Sequence, residues 1–192
     1  VTVINNINVS VGENFYVKDE GNKLVIYDFN DNIISEYTEE FTNYEIFDKR
    51  FIIVTNKNIK KIINKDGKIL INGTQIKVAN DNKYVLVDNA VYDNNLNKVY
   101  VLDFTENFEY FAEFGNDLLI IEPYEKESKS IVVDLINKKV LWRNFENSSL
   151  YNNDEGMTYF RFTKNNKGYL IDTRTKEVLY EGINYDNTNY IE

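Results

Sequence analysis

The sequence contains no histidine and no cysteine, and these two absences exclude most enzyme chemistry that relies on them. Without histidine there is no Ser-His-Asp or Cys-His catalysis, no imidazole acid–base step and no His-ligated metal site. Without cysteine there is neither a disulfide nor a thiolate metal site. Any catalysis would therefore use carboxylates, lysine, tyrosine, serine or an oxygen-liganded metal.

Positive charge is also scarce, because 22 Lys and Arg face 31 Asp and Glu, for a net charge of −9. This balance argues against nucleic acid and against an anionic membrane surface as partners. No apolar run is long enough to cross a bilayer, so we expect no membrane insertion. One local group of lysines is interpreted as the solvated face and turn of a hairpin: Lys57, Lys60, Lys61, Lys65 and Lys68.

The residues that are abundant favour β-structure. Apolar residues make up 43% of the chain and aromatics 15%, with 15 Tyr and 12 Phe. Such residues suit a pleated, half-buried surface, and no segment shows a helical period. The composition therefore predicts an all-β protein with a substantial core.

One pattern occurs five times along the chain. A short apolar strand ends in Asp or Asn, four or five polar residues follow, and a β-branched residue opens the next strand. An Asp or Asn side chain at this point can accept hydrogen bonds from backbone N–H groups just ahead and so close a hairpin. We prefer this turn role to repeated metal sites, and Gly67 fits a left-handed position in the second copy. The anchor residues are Asp28, Asn64, Asp93, Asp134 and Asp172.

A further strand precedes each hairpin, and another short strand fits before that one. Four strands in each unit is typical of a propeller blade, so the sequence predicts a five-bladed β-propeller of four-stranded antiparallel blades. The whole chain, 1–192, is expected to be one domain and a monomer. Part of a larger propeller, an open meander and a sandwich remain alternatives, and residues 1–3 or 183–192 could supply a closing strand. The expected blades are 4–39, 43–73, 75–103, 108–144 and 149–182.

Two of the hairpins carry a family resemblance. The segments GYLIDTRTKEVLYEG (168–182) and SIVVDLINKKVLWRN (130–144) resemble the blade hairpin of quinoprotein-like and WG-repeat bacterial propellers. The resemblance implies architecture only, because the Trp-Gly pair and the Thr-Gly turn of those families are absent here. We therefore expect no quinone and no other cofactor. Trp142, the sole tryptophan, is expected to be a core residue between blades.

Carboxylates are the main candidates for catalysis, since glycoside hydrolysis needs only two of them. With so many acidic residues, such groupings arise by chance, and the predicted loops are too short to build a cleft. We therefore expect no enzymatic activity and no catalytic or metal-binding residues. The groupings considered are Glu39 with Glu40, Asp103 with Glu106, and Glu122 with Glu125.

The first hairpin has part of the residue spacing of a calcium-binding loop. Asp28, Asn30, Asn32 and Glu39 have EF-hand spacing, but Ile33 occupies the position where glycine makes the sharp turn. The hairpin interpretation is preferred.

The best binding candidates are aromatic and acidic residues in predicted loops. The longest insertion, 123–129, carries Tyr124 at its tip beside Pro123, where a tyrosine could stack on a sugar or anchor a protein. Ordinary packing of the loop on its own blade is the alternative. The candidate binding residues are Tyr124, Glu122, Glu125, Phe41, Tyr44, Phe145 and Tyr151.

The sequence thus favours a non-catalytic recognition module that presents short loops to a protein or glycan. The alternatives are a carboxylate-based carbohydrate-active enzyme and a structural ectodomain of a larger surface or regulatory protein. Because the chain begins at Val1, we expect a processed or excised part of a bacterial protein, extracellular or at the cell surface. The expected core includes Val25, Ile52, Leu86, Ile120, Val132 and Leu170.

Overall fold

The computed structural model describes residues 9–103, 110–123, 130–152 and 158–183, which form twenty β-strands. No helix in these ranges has the length and apolar character needed to cross a membrane. The strands are β1 (Val9–Val11), β2 (Tyr16–Asp19), β3 (Leu24–Tyr27), β4 (Ile33–Tyr37), β5 (Asn43–Phe47), β6 (Phe51–Asn56), β7 (Ile59–Asn64), β8 (Ile69–Gly73), β9 (Ile76–Val78), β10 (Tyr84–Val87), β11 (Ala90–Asp93), β12 (Lys98–Val101), β13 (Tyr110–Gly115), β14 (Leu118–Pro123), β15 (Ile131–Asp134), β16 (Lys139–Arg143), β17 (Glu146–Asn152), β18 (Thr158–Lys164), β19 (Lys167–Asp172) and β20 (Val178–Ile183).

These strands form five four-stranded sheets, and within each sheet every strand lies beside the next one in the chain. We call the sheets blades 1 to 5 in chain order. The strand pairs with a defined register are antiparallel throughout. The predicted fold class, an all-β chain of five four-stranded antiparallel propeller blades, is confirmed.

The chain divides into two compact units. The first comprises residues 1–78 and 82–98 and holds blades 1 and 2 and most of blade 3. The second comprises residues 79–81 and 99–192 and holds blades 4 and 5.

The anchor residues behave as the sequence predicts. In every blade a side-chain oxygen of the anchor accepts the backbone N–H of the residue two positions on. It also accepts the N–H three or four positions on, and the nitrogen–oxygen distances are 2.8–3.3 Å. The anchors therefore close the hairpins that join the third and fourth strands.

Each of these hairpins also needs one left-handed residue. It lies three positions after the anchor in blades 1 to 3, where Asp31, Gly67 and Leu96 have φ of 64°, 75° and 61°. It lies four positions after the anchor in blades 4 and 5, at Lys138 (φ 54°) and Lys176 (φ 65°). The left-handed position expected for Gly67 is confirmed, and the other four hairpins hold the same conformation without glycine.

A β-bulge precedes the anchor in four blades. The register between the third and fourth strands shifts at Ile26/Tyr27, Ile62/Ile63, Val132/Val133 and Leu170/Ile171. A bulge adds one residue to a strand and increases its local twist. Because it lies immediately before the anchor each time, the bulge and the hairpin form one repeated structure.

The core lies between successive blades. One apolar cluster joins blades 1 and 2, one joins blades 2 and 3, and one joins blades 4 and 5. Five of the six predicted core residues are buried, with 1% exposure or less: Val25, Ile52, Leu86, Ile120 and Val132.

The prediction for Leu170 was wrong, since this residue is only partly buried. Leu170 pairs with Arg161 and Tyr180, whereas the neighbouring Ile171 pairs with Phe160 and is fully buried. Successive residues of a strand point to opposite faces, so the residue that enters the core is Ile171.

Polar contacts fasten the hairpins of blades 2 and 5 to the blades that precede them. Ser35 of β4 donates to the carbonyl oxygen of Lys65 in the hairpin of blade 2, at 2.6 Å. In the second unit, Lys176 of the blade 5 hairpin pairs with the Asp134 anchor of blade 4, with 2.8 Å between Nζ and Oδ2. The anchored hairpins therefore serve as turns and as links between blades.

The first prediction concerns the anchor oxygen. Asp28→Ala should lower the free energy of unfolding by about 1–2 kcal/mol, because two backbone N–H groups lose their acceptor. Asp28→Asn, the matched control, should lose much less, since Asn64 closes its own hairpin with an amide oxygen. Urea unfolding of the two variants measures this, and equal losses would contradict the anchor role.

The second prediction concerns acid stability. Burial raises the pKa of Asp134, but hydrogen bonds from Lys176 and Asn137 outweigh it and bring the pKa to about 2. The pKa of Asp134 is thus lower in the folded than in the unfolded protein. The ionised carboxylate therefore stabilises the fold above about pH 4, and this stabilisation is lost as the pH falls through 2. The difference in the free energy of unfolding between wild type and Asp134→Asn should therefore be about 2 kcal/mol smaller at pH 2 than at neutral pH.

Unfolding curves of both proteins from neutral pH to pH 2 provide the measurement. Lys176→Met, which removes the ammonium donor, should move the acid-dependent loss to higher pH. Parallel pH profiles for wild type and Asp134→Asn would show that this carboxylate does not contribute.

Candidate recognition surface

The outer strand of blade 5, β20, exposes an apolar surface. Its large side chains are exposed along the whole strand: Val178 by 48%, Leu179 by 51%, Tyr180 by 41% and Ile183 by 76%. Gly182 alone within β20 is partly buried. Groups of exposed apolar side chains of this kind are typical of interaction sites.

The outer strands of the other blades are more covered. In β4, β8, β12 and β16 at least two residues are partly or fully buried. In three of these strands, residues pack against the core cluster shared with the following blade, as Tyr37 of β4, Ile71 of β8 and Leu141 of β16 do. β20 therefore differs from its equivalents in exposure, although its sequence is equally apolar.

Both faces of β20 carry apolar groups. Val178 lies opposite Ile171 and Ile183 opposite Lys167, whereas Tyr180 lies opposite Leu170 on the other face. Among the described strands, β20 is also an edge strand, because it is the last in its sheet. Edge strands can accept a strand from another protein.

The charges at this surface are acidic with one paired lysine. Lys167 Nζ lies 2.8 Å from Glu181 Oε1, and the hydrogen bond from Lys167 lowers the pKa of Glu181. Both side chains are about half exposed, so this pair adds little stability. Glu177, at the start of β20, is exposed as well.

Of the aromatic residues predicted for binding, Phe41 and Tyr44 lie together. Their rings meet edge to face with 6.4 Å between centroids, and both pack against the core cluster of blades 1 and 2. Burial raises the pKa of the Tyr44 hydroxyl. These residues hold the connection between two blades, and each exposes only part of its ring.

Phe145 requires a correction, because it is not a surface aromatic. Its side chain is 1% exposed and its ring contacts Phe160 and Phe162, at 5.6 and 5.2 Å between centroids. Its backbone N–H donates to Ser130 Oγ, and the Ser130 hydroxyl donates to its carbonyl oxygen. Trp142 packs on the same cluster beside Phe162, as a core residue should.

The remaining predicted residues are spread over blades 4 and 5. Glu122, at the end of β14, accepts a hydrogen bond from Ser148 Oγ. Tyr151, on β17 opposite Tyr159, is 47% exposed. Tyr124 and Glu125 lie outside the described residues.

The carboxylate groupings give no metal centre in the part of the chain that the structure describes. No group of three or more Asp and Glu there could hold an ion. Glu39 pairs with Lys61, and Asp28 binds the turn through Asn32 Nδ2 as well as through backbone N–H groups. Glu106 lies outside the described residues.

Sequence reasoning predicted a strand at β20 but missed its exposure, since its apolar start, Val-Leu-Tyr, resembles the Val-Leu-Trp of the more covered β16. Only the packing around the strand distinguishes the two cases. It also missed four asparagines with left-handed backbone, two near the start of blade 5 and two in the turn between β18 and β19. Their signal was present in the Asn-Asn pair at 165–166, which is typical of a tight hairpin turn.

A third prediction tests the correction at Phe145. Phe145→Ala should lower the free energy of unfolding by about 3–5 kcal/mol, because it leaves a cavity beside the rings of Phe160 and Phe162. Phe41→Ala should cost less than half as much, and Phe145→Leu should retain most of the stability. Chemical denaturation of the three variants decides the matter, and equal small losses for both alanine variants would place Phe145 at the surface.

Comparisons with known proteins found similarity to solved structures, of which one is described below. No family model matches the sequence, and no curated protein matches it. Among solved structures, the chain is similar to BamB from Moraxella catarrhalis, with 13% sequence identity and a TM-score of 0.45. The match covers 93% of this chain and 61% of that one, so this chain spans about three-fifths of its length.

Proposed function

We propose that this chain is a non-catalytic recognition module that binds a segment of another protein along the outer strand of blade 5. The observation that supports this most directly is the exposure of Val178, Leu179, Tyr180 and Ile183 on one edge strand. Hydrophobic burial would provide the binding energy. The absence of histidine and cysteine from the chain is compatible with a role that needs no reactive group.

The bound segment is an extended peptide with apolar residues on both sides. Such a segment adds a strand to the sheet edge, and pockets for alternate side chains give specificity. Because β20 presents apolar groups on both faces, the partner strand should match it with apolar residues at successive positions.

The negative charge of this surface also favours a partner of opposite charge. Glu177 and Glu181 accompany the apolar residues, and the chain carries a net charge of −9. A basic flank on the partner would complement this field and speed association, whereas self-association would bring like charges together. The location expected for the module, extracellular or at the cell surface, stays a prediction.

Peptide selection tests this proposal. The purified chain should enrich, from a random peptide library, sequences that combine β-branched or aromatic residues with Lys or Arg. Leu179→Asp should weaken binding of the selected peptides by about tenfold or more, because burial of a leucine contributes about 1.5–3 kcal/mol. Fluorescence anisotropy with labelled peptides gives the dissociation constants.

Ile33→Asp is the matched control, because Ile33 is 58% exposed on the equivalent outer strand of blade 1. It should leave peptide binding unchanged. If no peptide is enriched, or if both variants bind the selected peptides equally well, the proposal is wrong.

A further inference from the structure

A polar cleft lies beside blade 5, at the turn between β18 and β19. Its volume is about 270 Å³, and residues 144–146 and 163–166 line it. The first group connects β16 to β17, and the second includes the end of β18 and its turn into β19. The cleft is slightly smaller than the range of about 300–1,000 Å³ for drug-sized ligands, so it suits a small ligand.

The floor of this cleft is firmly held. Thr163 is 1% exposed, and its hydroxyl donates to the carbonyl oxygen of Glu146 at 3.0 Å and accepts from Asn147 Nδ2 at 3.3 Å. The backbone of Phe145 is held by its paired hydrogen bonds with Ser130 Oγ. A floor of this kind requires no rearrangement when a ligand binds.

A β-bulge shapes one side. The register between β17 and β18 shifts between Glu146 and Ser149, and Asn147 within it has a φ of 52°. Bulges reorient side chains and are common beside functional sites. Glu146 therefore lies at the cleft next to an irregular strand segment.

The rim carries exposed amides. Asn144, Asn165 and Asn166 line the cleft and are exposed, with φ of 55°, 52° and 63°. Asn165 and Asn166 are the two central residues of the turn between Lys164 and Lys167. Because asparagine adopts the left-handed conformation readily, the turn alone could account for asparagine at these positions. The experiment must therefore distinguish this conformational role from ligand binding.

The chemistry of the lining favours a neutral ligand rich in hydroxyl groups. An amide offers two donors and an acceptor on one side chain, which matches hydroxyl groups that both donate and accept. Lys164 and Glu146 bring one charge of each sign, so neither an anion nor a cation gains a net attraction. We propose that this cleft binds one sugar residue of a glycan. The site is independent of the protein-binding role of β20.

Nuclear magnetic resonance of the ¹⁵N-labelled chain tests this directly. The probes are the methyl glycosides of glucose, galactose, mannose and N-acetylglucosamine, with inorganic phosphate as a separate arm. At least one glycoside should shift the backbone amide signals of residues 144–147 and 163–166 in a saturable way. Shifts with phosphate and none with the sugars would identify an anion site and overturn the proposal.

Substitution by glycine distinguishes a role of these asparagines in the turn from a role in binding the sugar. Asn165→Gly combined with Asn166→Gly keeps a turn that accepts positive φ but removes both amides. Sugar affinity should fall at least tenfold while the unfolding midpoint is maintained. Undiminished sugar binding would show that these asparagines serve the turn alone, and no saturable shift with any glycoside would also refute the site.

Lys49→Gly is the matched control for this experiment. Asp48 and Lys49 have φ of 49° and 56° in the turn between β5 and β6, so this turn has the same left-handed pair. Sugar binding should be unchanged in this variant. A loss of affinity there equal to that of the double variant would contradict a specific role for the amides.

Discussion

The hydrogen bonds from backbone N–H groups to one Asp or Asn oxygen are the interaction on which each blade depends. They fix the chain direction immediately after the third strand, so the fourth strand can return along the sheet edge. The bulge before the anchor and the left-handed residue after it follow from the same geometry, since both adjust the twist of a short hairpin. Gly67 adopts this conformation without strain, whereas the lysines at 138 and 176 adopt it at a cost.

The same hairpins also connect successive blades, which explains why an anchor can be buried. Asp134 is 1% exposed, and a buried carboxylate without partners would be destabilising. It accepts hydrogen bonds from its own turn, and Lys176 of the next hairpin neutralises its charge. Asp28, in contrast, binds only its own turn among the contacts described, and its hydrogen bonds with Asn32 lower its pKa at the surface. The contacts that an anchor makes with the next hairpin therefore decide how much it contributes to stability.

The architecture could be predicted from sequence because its signal is local. An anchor, its turn and the next strand lie within about ten residues, so their spacing is visible in one copy and confirmed by repetition. Features that depend on distant residues could not be predicted. Leu170 and Ile171 are adjacent and equally apolar, and only pairing with Phe160 shows which enters the core. Phe145 was expected in a loop because its contacts, Ser130 and two phenylalanines, are remote in sequence.

The recognition proposed for this chain would use groups that the scaffold already supplies. Tight hairpins select asparagine for its left-handed backbone, and each such choice also places an amide at the surface. A fourth strand must be apolar to pack on a following blade, and where it is more exposed, as in β20, the same residues form an apolar surface. Neither feature needs histidine, cysteine or a long insertion. The constraints that shape a minimal blade therefore leave two kinds of group at its surface, amides at turns and apolar side chains on an outer strand. In blade 5 the structure brings both together.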